Sequence, residues 1–375
     1  MDTTRYTAAA QATGPARRAL LAGGTGLLGL LVLGAAATTT VPRPGSTATA
    51  PATAATTLRL GYFANLTHAP ALVGQSKGLF AAELAGSGTT VATSIFGAGP
   101  AAVEALNAGA IDAAYLGPNP AIAAYASSGG RGLRVLAGAA AGGAQLVVRK
   151  ELADAARSDV GVLRSATLAT PQLGGTQDVA LRTWLTAQGL STDVRGGDVS
   201  ITPTANAQTL ELFRSGAIDG AWLPEPWASR LVLEAGAAVL VDEAELWDGA
   251  ETGAPGLFPT TVLAVSPNFA AAHPLTVDAL LRGHLAALHW LNTTDRREVS
   301  TLLNAELSAS AGAPLAPKVI NRALSSLSFT ADPLAGAYPR LLQNAVDASL
   351  AESANLDALV DDSFLARARK ERADA

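Results

Sequence analysis

The stretch Gly109-Ala-Ile-Asp-Ala-Ala-Tyr-Leu116 returns as Gly216-Ala-Ile-Asp-Gly-Ala-Trp-Leu223, 107 positions later. The echo does not stand alone. Leu58–Phe63 reads as a strand leading through a loop into a helix, and Ala166–Thr170 begins the same sequence of elements 108 positions on. Between these points Thr90–Phe96 and Asp198–Thr202 are strand-like, each followed by a loop and a helical pattern. A nearly constant offset across three strand–loop–helix units implies two small α/β lobes built on one plan. Each Gly before Ala-Ile-Asp suits the left-handed position that ends a helix. Two copies are too few for a solenoid, which needs at least three stacked repeats.

After Pro259 one more strand-like run, Thr261–Ser266, gives way to helical pattern only. That portion, about 270–370, is expected to pack back on the first lobe. The chain then crosses between lobes twice, near Val148–Lys150 and between Leu246 and Pro259. The expected organisation is residues 58–148 plus 259–370 for lobe I and 149–258 for lobe II.

The N-terminus reads as an address. Arg17-Arg18 precede an apolar, Gly-rich run, then Ala35-Ala36-Ala37 suits a signal peptidase. Residues 1–37 are expected to be a signal peptide, twin-arginine or general secretory, or else an uncleaved anchor. The Thr/Ala/Pro tract 38–57 is expected to be a disordered linker. Export to the periplasm or cell surface follows. The chain has no cysteine, so disulfides, thiol catalysis and thioether lipid anchoring are excluded. A formal net charge of −5, with no basic stripe, argues against a nucleic-acid partner.

In open parallel sheets, ligands bind where strands end and helices begin. That rule selects the loops Asn65–His68, Gly97–Pro100, Gly117–Asn119, Pro171–Gln177, Thr204–Asn206 and Leu223–Trp227. They hold Asn, Thr, Gln, His, Gly and Trp and no Lys or Arg. Helix N-terminal amides and polar side chains bind a small anion without a cation. Thr67 and Asn65 also suit helix capping, and Asp178 suits the helix dipole. Trp222 and Trp227 flank Pro-Glu-Pro, where one of the two is expected to line a pocket. Glu225 either repels wrong anions, bonds a protonated ligand or bridges to the other lobe. No catalytic motif emerges: no Gly-x-Ser-x-Gly, His-Glu-x-x-His, Walker lysine or dinucleotide fingerprint is present, and no cofactor is expected.

The segments Gly61–Pro70, Gly97–Pro100, Ala114–Pro120, Ala169–Asp178 and Gly220–Trp227 resemble the nitrate/sulfonate/taurine group of ABC transporter binding proteins, with the aliphatic-sulfonate binders as the subgroup they look most like. The resemblance spans about Leu58 to Leu288. It implies a type II periplasmic-binding fold, in which two α/β lobes joined by a two-strand hinge close on a ligand. It also implies a monomer that hands its cargo to an ABC permease. Matched residue by residue, it points to Asn65, Thr67, His68, Gly117, Asn119, Gln172, Thr176, Gln177, Trp222 and Glu225 as ligand-binding. A sulfonate-like anion is the expected ligand, with nitrate, bicarbonate or a pyrimidine as alternatives. Relatives often carry a lipobox cysteine that this chain lacks. Two readings of other classes are a ligand sensor and a pyrimidine-synthase-like enzyme, but none of the four lysines lies in a pocket loop.

Overall fold

A computed structural model describes residues 53–192, 197–311 and 313–373. The expected signal or anchor, 1–37, lies outside the described residues, as does most of the linker. The end of that linker is not loose. The Thr53 hydroxyl donates to the Ala272 carbonyl, Ala55 N–H donates to Thr276 Oγ1 at 2.8 Å, and Thr57 already begins the first strand. Alanine is small enough to bury here, and the threonines find backbone partners, so the tract docks from Thr53 onward.

The strands in chain order are β1 (Thr57–Phe63), β2 (Thr90–Phe96), β3 (Ala113–Leu116), β4 (Arg134–Gly142), β5 (Ala144–Val148), β6 (Thr167–Thr170), β7 (Ser200–Pro203), β8 (Gly220–Pro224), β9 (Ala238–Asp242), β10 (Pro259–Val265) and β11 (Leu327–Ser328). They form two sheets, ordered β11-β4-β10-β3-β1-β2 and β7-β6-β8-β5-β9. Both lobes share one pattern. The strand after the first loop–helix unit pairs in parallel with the first, the third pairs on its other side, and an antiparallel strand closes the group. Leu60 faces Ala113 in one sheet, and Leu168 faces Gly220 in the other, so the repeat survives at the level of register.

The Ala-Ile-Asp echo has a physical cause. Gly109 (φ 67°) and Gly216 (φ 86°) end their helices in the left-handed region, which a side chain would strain. Asp112 and Asp219 then make the same pair of bonds. Each accepts from a first-strand amide (Arg59 N–H and Thr167 N–H, both 2.8 Å) and donates its own amide back to that residue's carbonyl.

The helices are α1 (Ala69–Ser76), α2 (Leu79–Ala85), α3 (Gly99–Asn107), α4 (Pro118–Ser127), α5 (Lys150–Ala156), α6 (Thr176–Ala187), α7 (Asn206–Ser215) and α8 (Trp227–Ala235). After β10 come α9 (Pro267–Ala272), α10 (Pro274–Thr293), α11 (Arg296–Ala311), α12 (Pro317–Ser325), α13 (Tyr338–Asp347) and α14 (Ser363–Ala373). Helices α10, α11, α12 and α14 cover one face of the first sheet, as the late helical pattern suggests. Among the described residues no helix is long and apolar enough to cross a membrane.

The first crossing between sheets sits at Gly142-Gly143, earlier than the expected Val148–Lys150. Ala144–Val148 is wholly buried and pairs antiparallel with β8 and β9, so it belongs to the second lobe. A continuous apolar run carries no mark of which sheet it joins. The second crossing lies between Asp242 and Pro259, and Thr260 Oγ1 ties it to the first by donating to the Gly142 carbonyl at 2.5 Å.

Candidate ligand cavity between the lobes

Strand ends deliver their loops to one cavity. From the first lobe come Asn65, Thr67 and His68 after β1, Gly97–Gly99 after β2, and Gly117 after β3. From the second come Gln172 and Gly175–Gln177 after β6, Asn206 at the start of α7, and Pro224 at the end of β8. Among the described residues no charged side chain lines it. The cavity volume is about 40 Å³.

Helices α3, α4, α6 and α7 all start at this cavity, and Ala98, Gly117, Gly175 and Ala205 are their N-caps. Alanine and glycine have no oxygen with which to cap, so no cap side chain takes up the first-turn amides. The positive ends of four helix dipoles thus meet in a space without a counter-charge. The buried Asp178 does not supply one. It accepts from Thr170 Oγ1, Gly174 N–H and Arg182 Nε, all at 3.0 Å, and so shapes the Pro171–Gly175 loop while its charge is neutralised.

His68 is fully enclosed, and burial pushes its pKa down to about 3, so the ring is neutral at pH 7. Its Nδ1 accepts from Phe63 N–H at 3.3 Å, which places the proton on Nε2. The ring is therefore a donor, not a cation. Asn65 Oδ1 accepts from Trp227 Nε1 at 2.9 Å, a bond between lobes. Two oxygens at the cavity, Thr176 Oγ1 and Asn206 Oδ1, are buried without a partner. Thr176 also sets the closeness of the lobes, since a Cβ on Gly117 would lie 2.3 Å from its hydroxyl.

Seven of the ten expected residues gather here: Asn65, Thr67, His68, Gly117, Gln172, Thr176 and Gln177. Three do not. Trp222 is mid-strand, and alternation along β8 turns it into the core, where its indole donates to Glu243 Oε2 at 2.8 Å. Glu225 is fully buried towards the hinge side, accepting from Ser229 N–H, Ser229 Oγ and Arg322. Of its three sequence readings, the bridge to the other lobe is the one found. Asn119 projects from the first turn of α4 away from the cavity, donating to the Leu341 carbonyl at 3.2 Å. Sequence reasoning left Phe63 and Thr260 out of the site, although both line it. Phe63 was visible as a strand end; Thr260 arrives from the second crossing and carried no signal.

The same architecture occurs in solved structures. The alkanesulfonate-binding protein SsuA from Xanthomonas axonopodis pv. citri, bound to MOPS, is similar with a TM-score of 0.63, at 22% identity over 83% of this chain and 99% of that one. The periplasmic nitrate-binding protein NrtA from Synechocystis gives 0.69, at 16% identity over 84% and 89%. At such identities the likeness speaks for the fold, and the expected two-lobed periplasmic-binding fold is the one present. In sequence, the bicarbonate-binding protein CmpA from Synechococcus elongatus is 26% identical over 129 residues, 34% of this chain and 26% of that protein. The chain spans between 15% and 26% of the length of the curated relatives it matches. The family model described as NMT1-like matches residues 52–304, and the chain belongs to that family.

Proposed function

We propose that this chain is the solute-binding component of an ABC importer and takes a small organic anion, an aliphatic sulfonate, between its lobes. The observation that carries the reading is the meeting of four uncapped helix N-termini in a space that, among the described residues, no charged side chain lines. A sulfonate offers three oxygens to such amides, while the neutral His68 and the Gln172, Thr176 and Gln177 side chains add donors. Closure brings Asn65 to Trp227 and Gly117 to Thr176, so a ligand that bridges the walls favours the closed form presented to a permease.

Bicarbonate is a second reading, which one observation favours. Asn206 Oδ1 lacks a donor, and the bicarbonate hydroxyl would supply it. Likeness to bicarbonate-binding CmpA points the same way. Isothermal titration of the full chain with ethanesulfonate, bicarbonate and nitrate separates the readings. Micromolar binding of ethanesulfonate, weakened about tenfold in Thr176→Ala, is expected from the loss of one hydrogen bond to a charged group. Binding of bicarbonate alone would replace the sulfonate reading, and heat from none of the three would remove the anion reading.

A further inference from the structure

A second, larger cavity lies on the other side of Thr176 from the first. Its volume on the same measure is about 220 Å³, against about 40 Å³. Thr176 lines both. Gly117 and Pro120 face the first cavity, and Asn119 between them faces the second, so the partition is a single residue thick. From Thr176 the second cavity follows one face of α6, past Val179, Ala180, Thr183 and Trp184, to Gln188. That spacing is a helical stripe about 18 Å long. Trp247 and Leu341 form the opposite wall.

Polar atoms without partners mark the partition. Asn119 Oδ1 and Thr176 Oγ1 are buried and unbonded, in residues 1% and 5% exposed, and Thr183 Oγ1 is a third further along. Beyond them the wall is mainly apolar and aromatic, and the Arg340 guanidinium there lies over the Trp247 ring at 4.2 Å and pairs with Glu251. The one carboxyl there, Glu243, is pushed up by burial to about 8 and presents no net charge to an anion at pH 7.

We propose that this groove is a subsite for the organic tail of the same ligand, with the anionic head at the helix N-termini, the Thr176 side chain turned out of the partition, and the tail lying along α6 between Trp184 and Trp247. The inference rests on the anion-binding reading and names its substrate class: an anion with a chain of several carbons, not a bare oxyanion. A donor on the first atoms of the tail would meet Asn119 Oδ1.

The test is titration of the full chain with straight-chain alkanesulfonates from methane- to octanesulfonate. Affinity is expected to rise roughly fourfold per added methylene until the groove is full. In Ala180→Trp, or Thr183→Trp should the first not fold, a large ring occupies the groove. There the gain per methylene, measured from methanesulfonate in the same protein, should vanish. A flat series in the unaltered chain, with methanesulfonate still bound, would overturn the subsite and leave the head cavity standing. Increments that persist in the filled variants would place the tail elsewhere and overturn it too. Failure of every sulfonate to bind would strike the underlying anion reading and the subsite together.

Discussion

Tyr115 and Trp222 occupy the same place in the two lobes, 107 positions apart, on β3 and on β8. Each is fully buried and each holds a buried ionisable group. Tyr115 Oη is bonded to His284 Nδ1 at 2.9 Å, and Trp222 Nε1 donates to Glu243 Oε2 at 2.8 Å. The His284 ring also donates from Nε2 to the Gly138 carbonyl at 2.8 Å. Burial acts on the two groups in opposite directions. It drives His284 down to about 4 and Glu243 up to about 8, so both are neutral near pH 6. One plan thus gives two matching aromatics whose buried partners take on charge in opposite directions, His284 with acid and Glu243 with alkali.

The signs follow from proton counting. His284 binds its proton more weakly when folded than unfolded. Its contribution is complete above about 6.5 and is lost as pH falls towards 4. Glu243 binds its proton more tightly when folded, so stability is greatest below about 4.5 and declines as pH rises to about 8. His68, also pushed down, adds to the acid side. The largest expected effect is therefore on Glu243→Gln, which keeps an acceptor for Trp222 and cannot ionise. Urea unfolding at pH 8 should show a gain on the order of 4 kcal/mol over the unaltered chain, and less than about 1 kcal/mol at pH 5. An equal gain at both pH values would mean that ionisation is not what separates the lobes.

The repeat made this pairing legible in part. Gly109 and Gly216 mark helix ends because no other residue turns left-handed there without strain, and Asp112 and Asp219 follow them to close the strands. Such local signals carry the positions of the strands and of the loops that follow them. What Tyr115 and Trp222 touch was not legible, since His284 and Glu243 come from distant, unrepeated parts of the chain. The same holds for Trp222 as a supposed ligand contact. Its neighbours Ala221 and Leu223 face the other core, and only the strand's alternation within a known sheet decides which side Trp222 takes. Asn119 and Glu225 stand outside the first cavity for a related reason. One turn of helix, or one turn past a strand end, redirects a side chain by more than the motif's spacing specifies.

A second contrast follows the aromatics. After β3 the chain reads Gly117-Pro-Asn-Pro; after β8 it reads Pro224-Glu-Pro-Trp. Gly117 meets the opposite lobe with no side chain at all, and Thr176 fills the space that a Cβ would need. Gly117→Val should hold the lobes apart at the cavity. Overpacking of this kind costs about 1–3 kcal/mol. If binding closes the lobes as proposed, that is a loss of about five- to 150-fold in affinity for the anion. Titration calorimetry measures it, and unchanged affinity would show that the walls need not approach as they do here.

The end of β8 works differently. Glu225 is wholly buried and meets Arg322 of α12, which donates to Glu225 Oε1 at 3.2 Å, to Ser229 Oγ at 2.7 Å and to Gln145 Oε1 at 2.7 Å. One guanidinium of the C-terminal helices thereby clasps three residues of the second lobe. At the matching place after β3, Pro118 has nothing to clasp. Burial raises the Glu225 pKa, and the Ser229 bonds and the Arg322 charge oppose that rise. Arg322→Ala leaves the carboxyl enclosed without its cation. With Arg322 itself 26% exposed, the expected loss is about 2 kcal/mol, below that of a fully buried pair. Pairing it with Glu225→Gln should recover part of that loss, because no charge is then stranded. Strict additivity in this double-mutant cycle, read from urea midpoints, would mean that Arg322 acts through Gln145 and Ser229 and that the second lobe's strand end is no ionic latch.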